Sequence, residues 1–290
     1  MIRSTETPRE RLLRLTRLEI REAAPFPFGW LLSLVTFRAL RRFRDRAWAY
    51  DQACGGQGFP NASRQVLREF GLNLQTCGRP RDLESGPLLV LANHPGLLDT
   101  PALVAAIDRR DLFVLAAPHR LWEAMPRLRD RFLLVSEDRR SRHATIREAV
   151  DRLRGGGAML LYPSGRIDPD PSIDSDTVGS LEHWSQAPDF FARHVNHLGI
   201  AGASVSGVLS VDGLAHPWAR LHRDSEKRRW LAATLQFVSA SRQPAVTQVA
   251  FTPVYRGAGR GGSADPVRRV RRDLEAYWSS PAPSIRTPEA

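Results

Sequence analysis

Residues 88–99 read Leu-Leu-Val-Leu-Ala-Asn-His-Pro-Gly-Leu-Leu-Asp, and this stretch decides the fold. A short apolar run that ends in turn residues is typical of a strand buried on both faces. The Pro-Gly turn then places Asp99 five residues after His94. In open α/β sheets, ligands bind beyond the carboxyl ends of the strands. The stretch therefore predicts a strand that presents His94 at the reactive end of a sheet.

Strand-like and helix-like segments alternate along the chain on both sides of this stretch. Apolar runs predict strands at 72–76, 112–116, 132–135, 158–162, 203–211, 230–239 and 246–255. Helical patterns predict helices at 63–70, 100–107, 121–129, 143–154, 189–198 and 266–278. Such alternation predicts an α/β fold in which a largely parallel, twisted sheet is covered by helices.

Two basic segments precede the sheet and predict an N-terminal helical appendage. In residues 8–22, apolar residues recur at helical spacing among arginines, which predicts a basic amphipathic helix. Residues 28–37 are apolar with aromatic ends and are followed by a dense run of arginines, which favours a helix lying in a membrane interface. The alternative is that both helices simply cover the catalytic domain.

Breaks in the pattern predict three parts. A connector rich in glycine, proline and asparagine occupies 54–63, and a glycine-rich break occupies 257–262. We therefore expect basic amphipathic helices at 1–53, an α/β domain at 60–262, and a basic terminal helix with a disordered tail at 263–290.

The charge of the chain points to anionic partners. Lys+Arg number 42 against 31 Asp+Glu, a formal net charge of +11, and Lys227 is the only lysine among the 290 residues. Basic proteins are attracted to nucleic acid, anionic membranes or phosphate-bearing substrates. No nucleic-acid-binding module is recognisable, so the first of these is the least favoured.

The cysteine count and the absence of targeting patterns bear on location. Two cysteines make no disulfide framework, which indicates a reducing compartment. The sequence shows no signal-peptide pattern and no apolar run of the ~18 residues that a spanning helix requires. We expect a cytoplasmic protein, peripheral on the inner face of the membrane.

His94 and Asp99 are a candidate catalytic pair. A carboxylate bonded to one ring nitrogen orients an imidazole and compensates the charge that forms when the imidazole accepts a proton. The motif contains no serine or cysteine, so the hydroxyl to be activated would belong to a substrate. The alternative is structural, with His94 capping a turn and Asp99 capping the next helix.

Three motifs in order carry a resemblance to a known family. The run Asn-His-Pro-Gly-Leu-Leu-Asp at 93–99 resembles the His-x4-Asp signature of the glycerolphosphate acyltransferase superfamily. Residues 132–142 are similar to the second motif of that family, an apolar strand followed by an arginine-bearing loop. Arg139, Arg140 and Arg142 are the candidates for the motif arginine.

The third motif departs from the commonest form. Residues 162–166 read Tyr-Pro-Ser-Gly-Arg, with Ser164 where the family commonly has glutamate. This version is more similar to the soluble plastid glycerol-3-phosphate acyltransferases, whose Pro-Ser-Gly is followed by arginines and an Asp-Pro pattern. The resemblance covers about residues 88–171.

The resemblance implies an activity and a set of roles. An acyl group would pass from acyl-ACP or acyl-CoA to the hydroxyl of a glycerol-3-phosphate or lysophospholipid type acceptor in phospholipid synthesis, without a cofactor. His94 would be the general base, and Asp99 would orient it. The arginines would bind the acceptor phosphate, and backbone N–H groups near Gly165 would stabilise the oxyanion. The substrate-binding residues implied are Arg139, Arg140, Ser164, Gly165 and Arg166. The alternatives are a catalytically weak lipid-binding relative and a basic nucleic-acid-binding protein.

Other signals favour structural interpretations. The glycines at 155–157 lack the remainder of a P-loop, and Ser164 does not stand in the Gly-x-Ser-x-Gly pattern of α/β-hydrolases. Four aspartates and two histidines lack metal-site spacing, and they are expected to lie on a solvated loop and helix face, respectively. These residues are Asp168, Asp170, Asp174, Asp176, His194 and His197. We expect no metal site.

Overall fold

The structure is a computed structural model that describes residues 6–23, 37–238, 246–256 and 265–280. Its helices are α1 (Pro8–Ala23), α2 (Phe37–Gly56), α3 (Phe59–Glu69), α4 (Asp99–Ile107), α5 (Pro126–Arg129), α6 (Arg139–Arg154), α7 (Ala187–His194), α8 (Val211–Leu214), α9 (Ser225–Val238) and α10 (Pro266–Ser279). Its strands are β1 (Asn73–Cys77), β2 (Leu88–Ala92), β3 (Phe113–Ala116), β4 (Phe132–Leu134), β5 (Ala158–Leu161), β6 (Gly199–Ser206), β7 (Val246–Phe251) and β8 (Tyr255–Arg256). Short 3-10 segments occupy Arg81–Leu83, Arg120–Ala124, Ser175–His183 and Ala219–Leu221.

The strands of the described residues form one sheet in the order β1-β7-β6-β2-β5-β3-β4, and β8 pairs with β6. Strands β6, β2, β5, β3 and β4 are parallel to one another. Strands β7 and β8 pair with β6 in the antiparallel sense, and β1 is parallel to β7. The predicted largely parallel sheet is therefore confirmed. The carboxyl ends of five parallel strands meet at one edge, with β2 between β5 and β6.

Both faces of the sheet are covered by helices. Every residue of β2 is buried, and its side chains alternate between two apolar layers. Val90 packs into the layer that contains α1 to α4 and α9. Leu89 and Leu91 pack into the opposite layer, with α6, α7 and α10. This arrangement confirms the predicted α/β fold class.

The N-terminal helices pack against the sheet domain. Thr7 and Glu10 form a capping box at the start of α1, each side chain accepting a hydrogen bond from the other's backbone N–H. Leu12 and Ile20 of α1 are fully buried in the same core as β2. The apolar side of α1 is therefore covered by protein.

The membrane-interface interpretation depended on residues 28–37, and all of these except Phe37 lie outside the described residues. Phe37 is about one-third exposed, with the guanidinium groups of Arg17 and Arg41 over its ring. None of the described helices is long and apolar enough to cross a membrane. The division at 1–53, 60–262 and 263–290 stays a prediction; the tail and the break at 257–262 fall almost entirely outside the described residues.

One predicted element has the wrong type. Residues 230–239 were expected to form a strand, but they lie largely in helix α9, which covers one face of the sheet. Asp224 caps this helix, since its Oδ1 accepts the N–H of Lys227 at 2.8 Å. A short apolar run suits a buried helix as well as a buried strand, and here the cap distinguishes the two.

Several predicted boundaries also differ. Strand β6 begins and ends about four residues before the predicted 203–211, and the predicted helix at 121–129 is broken at Met125-Pro126. The expected connector at 54–63 is mostly helical, because α2 continues to Gly56 and α3 begins at Phe59. Proline at the second position of α3 suits a first turn, where its missing N–H costs no hydrogen bond.

Candidate active site

The end of β2 and the start of α4 hold a histidine and an aspartate together. His94 lies in the turn two residues beyond β2, and Asp99 is the first residue of α4. His94 Nδ1 and Asp99 Oδ2 are 2.6 Å apart. The contact predicted between these two side chains is therefore present.

Backbone donors fix the Asp99 carboxylate, which is completely buried. Its Oδ2 also accepts the N–H of Gly96 at 3.2 Å, and its Oδ1 accepts the N–H of Thr100. The first turn of a helix stabilises a negative charge through the partial positive charge of its free N–H groups. The carboxylate is therefore held in place to receive the imidazole N–H.

This contact sets the chemistry of the imidazole. An ionised carboxylate only accepts hydrogen bonds, so Nδ1 of His94 carries the proton and Nε2 of the neutral ring is basic. Burial lowers the pKa of His94, but Asp99, assisted by Asp168, more than reverses this effect, and the net result is a raised pKa. About 25% of the His94 side chain remains exposed. His94 is thus a strengthened base that a small molecule can reach.

Tyr162, at the end of β5, supports the ring from one side. The two rings are stacked with centroids 4.4 Å apart and planes at 25°. The Tyr162 hydroxyl lies 2.7 Å from Thr100 Oγ1, and Thr100 in turn bonds to Asp99. Burial, followed by the nearby Asp99 charge, raises the pKa of Tyr162 well above its usual value, so the phenol stays protonated. The tyrosine therefore restrains both members of the pair.

Asn93 joins the end of β2 to the neighbouring β6. Its amide donates to the Val205 carbonyl and accepts from the Val205 N–H, each at 2.8 Å. Asn93 is fully buried, so this two-way bond satisfies a side chain that would otherwise be costly to bury. The residue before His94 is thus held rigidly.

The loop after β5 contains the third motif. Ser164 Oγ bonds to Asp168 Oδ2 at 3.0 Å, which gives the serine a supporting role in this structure. Gly165 has φ of 65°, and its N–H donates to the Tyr162 carbonyl at 3.1 Å. That N–H would have to leave its present acceptor to bind an oxyanion. Arg166 is nearly half exposed and forms a long ion pair of 3.7 Å with Glu226 of α9.

Two of the loop aspartates correct the expectation of a solvated loop. Asp168 and Asp170 are each only 1% exposed. Asp168 accepts the N–H of His94 at 2.9 Å. Asp170 accepts the N–H groups of Gly207, Val208 and Leu209 at 2.8 to 3.0 Å. The expectation was wrong because these partners are distant in the sequence, and local composition gives no sign of them.

The second-motif arginines lie away from the histidine. Arg139 and Arg140 begin α6, are exposed, and follow β4. Strands β5 and β3 separate β4 from β2, which places the two strand ends about 14 Å apart at about 4.8 Å per strand. The sheet brings these arginines to the same edge as His94 but not into contact with it. Arg142, in the same first turn of α6, is also exposed.

Among the residues that the structure describes, no three His, Cys, Asp or Glu side chains lie close enough together to hold a metal ion. His194 and His197 are exposed, as expected, but only His194 lies on a helix, because α7 ends at that residue. The ring of His194 stacks on Phe190, and its Nδ1 lies 2.8 Å from the Phe190 carbonyl.

Comparison with known proteins gives a family match and one similar solved structure. A family model described as Acyltransferase matches residues 73–193, from β1 to the last turn of α7. This region contains His94, Asp99 and the third motif. Among solved structures, the chain is similar to the 1-acyl-sn-glycerophosphate (LPA) acyltransferase PlsC from Thermotoga maritima. The identity is 15% and the TM-score 0.43, over 91% of this chain and 93% of that one. No curated protein matches the sequence at a significant level. Residues 73–193 therefore match the acyltransferase family, as the resemblance of this region to the glycerolphosphate acyltransferase superfamily predicted.

Proposed function

We propose that this protein transfers a fatty acyl group from a thioester to the hydroxyl of a phosphate-bearing glycerolipid acceptor, of the glycerol-3-phosphate or lysophospholipid type. The observation that carries the proposal is the 2.6 Å contact between His94 Nδ1 and the buried Asp99 carboxylate. This contact leaves Nε2 as a base on a partly exposed ring. The family match at residues 73–193 supports acyl transfer as the reaction class.

The proposed reaction follows from the geometry of this pair. Nε2 of His94 takes the proton of the acceptor hydroxyl while the hydroxyl oxygen attacks the thioester carbonyl carbon. The resulting tetrahedral oxyanion collapses, the carbon–sulfur bond breaks, and the imidazolium returns its proton to the departing thiolate. Asp99 stabilises the imidazolium between these steps. The products are an ester and a free thiol, and no cofactor is needed because the donor arrives activated.

Arg166 is the favoured ligand for the acceptor phosphate. It follows β5, which is adjacent to β2, whereas Arg139 and Arg140 follow β4, three strands from β2. Its ion pair with Glu226 is long and exposed, so a phosphate can displace it at little cost. Guanidinium groups bind phosphate oxygens in pairs. The more distant arginines suit a larger acceptor or the phosphates of the donor.

The net charge of the chain and the lipid nature of the product support a proposal for the acyl donor and for the location of the protein. Either acyl carrier protein or coenzyme A presents a thioester on an anionic carrier, which matches a chain of net charge +11. A lipid product and basic N-terminal segments favour peripheral attachment to the inner face of the membrane from the cytoplasm. We propose no nucleic-acid partner.

A thiol-release assay tests this function. Long-chain acyl-CoA and acyl-ACP are each supplied with glycerol-3-phosphate, lysophosphatidate or other lysolipids. We expect thiol release that depends on one of these acceptors, with an equal amount of ester formed. A protein that binds anionic vesicles yet releases no thiol with any donor and acceptor would instead be a lipid-binding relative.

A further inference from the structure

The two buried aspartates of the loop after β5 are not used in the reaction proposed above. We propose that Asp168 is a positioning residue for His94, which it holds through the backbone and through charge. Asp168 does not contact the ring nitrogen that receives the substrate proton, so its action is indirect. The inference rests on the proposed function, in which His94 is the general base.

The first support is a pair of hydrogen bonds between Asp168 and the backbone of His94. The N–H of His94 donates to Asp168 Oδ2 at 2.9 Å, and the N–H of Asp168 donates to the His94 carbonyl at 2.9 Å. The two bonds fix the peptide groups on both sides of the His94 α-carbon. Together with the bond between Asn93 and Val205, they leave the turn little freedom to move the imidazole.

The second support is electrostatic. The groups that face the imidazole are Asp99 from α4, and Tyr162 and Asp168 from the end of β5 and the loop after it. Asp99 and Asp168 both contribute to the raised pKa of His94, and the contribution of Asp99 is larger. The pKa of Asp168 itself is raised, because burial outweighs the opposing effect of the hydrogen bonds from the His94 N–H and the Ser164 hydroxyl. A second carboxylate thus strengthens the base without occupying its hydrogen-bonding sites.

The third support is the rigidity of the loop that carries Asp168. Two residues further on, Asp170 accepts three consecutive backbone N–H groups of the turn after β6. That turn requires Gly207, since its φ is 67° and a Cβ there would lie 2.2 Å from the Val246 carbonyl oxygen. The segment 168–170 therefore joins the loops that follow β2, β5 and β6.

Ser164 completes this arrangement. Its hydroxyl bonds to the same Asp168 oxygen that receives the His94 N–H. The position where related proteins commonly have glutamate thus holds a hydroxyl that supports a carboxylate four residues later. The departure from the family motif is explained if the negative charge is supplied by Asp168 in this chain.

Two substitutions separate the effect of the hydrogen bonds of Asp168 from the effect of its charge. Asp168→Asn retains an oxygen for the His94 and Ser164 donors but removes the charge, whereas Asp168→Ala removes both. We expect kcat to fall about 10-fold in the first variant and about 100-fold in the second. The KM for the thioester should stay within about 2-fold, because Asp168 contacts no substrate.

An NMR titration of isotope-labelled histidine gives a readout independent of turnover. The His94 signal is assigned from its loss in His94→Ala, and its pKa should be lower in Asp168→Asn than in the unsubstituted protein. Asp176→Asn, an exposed aspartate of the same loop, is the matched control and should leave both pKa and kcat unchanged. An unchanged kcat or an unchanged His94 pKa in Asp168→Asn would overturn the proposal. If the unsubstituted protein transfers no acyl group, the proposed function fails, and the titration still decides whether Asp168 acts on His94.

Discussion

At the scale of single residues, three neighbours give His94 different properties. Asp99 fixes the proton on Nδ1, Tyr162 restrains the plane of the ring, and Asp168 holds the backbone. The sequence predicted the first of these, because His94 and Asp99 are five residues apart in one motif. It did not predict Asp168, which lies 74 residues from His94 and is brought there by the pairing of β2 with β5.

Asp99→Asn tests the orienting role. An amide can donate to Nδ1 and so favour the tautomer in which Nε2 is protonated and cannot act as a base. We expect kcat to fall by about 10²–10⁴-fold, as for the corresponding change in a catalytic triad. The fold should remain, and far-UV circular dichroism provides the control. Full activity would show that Asp99 only caps its helix.

The same variant makes a prediction about pH. Asp99 raises the pKa of His94, so activity should rise with pH through a value above that of a free imidazole. In Asp99→Asn, the remaining activity should still rise with increasing pH, but the midpoint of this rise should lie at a lower pH. Because a raised histidine pKa stabilises the folded state, that contribution is complete below about pH 6.5 and disappears as pH increases through the folded-state pKa. Urea unfolding of both proteins across this range should show that the variant lacks the contribution.

At the scale of elements, the site depends on loops at the ends of three adjacent parallel strands. Apolar runs such as residues 88–92 predict the strands, but the contacts between loops are formed by Asn93, Asp168 and Asp170, whose partners are distant in sequence. The error at α9 has a different origin. Its apolar run suits a buried helix as well as a buried strand. The local feature that distinguishes the two is Asp224, which caps the helix.

Asp170→Asn tests the contact between the loops after β5 and β6. The carboxylate accepts backbone N–H groups with both oxygens, and an amide nitrogen would face donors in one of those places. We expect the free energy of unfolding to fall by about 1–3 kcal/mol, measured by urea denaturation. Asp176→Asn in the same loop should change it by less than about 0.5 kcal/mol. Equal stability of the two variants would mean that the contact between the loops contributes little.

At the scale of the whole molecule, the N-terminal helices share the core of the sheet. Leu12 and Ile20 of α1 and Phe43 of α2 are buried in the same cluster as Val90 of β2. Ion pairs of Arg120 with Glu19 and Glu22 also join α1 to the segment after β3. The amphipathic pattern predicted the helix from the sequence, but it could not decide whether protein or lipid covers the apolar side.

Leu12→Ala tests whether α1 is part of the cooperative fold. Removing a completely buried leucine should lower the free energy of unfolding by about 2–5 kcal/mol. Circular dichroism and the fluorescence of the tryptophans should report one coincident transition in urea. A separate early transition with an unchanged main midpoint would show that the N-terminal helices unfold independently.

The most direct test of His94 as the general base is acceptor-dependent thiol release by His94→Ala. The variant is assayed with the best donor and acceptor of the unsubstituted protein, beside His183→Ala, which replaces an exposed histidine away from the pair. We predict that kcat falls by at least about 10²-fold in His94→Ala and is unchanged in His183→Ala, with both proteins folded. Acyl transfer by His94→Ala at a rate near that of the unsubstituted protein would contradict the catalytic role of His94.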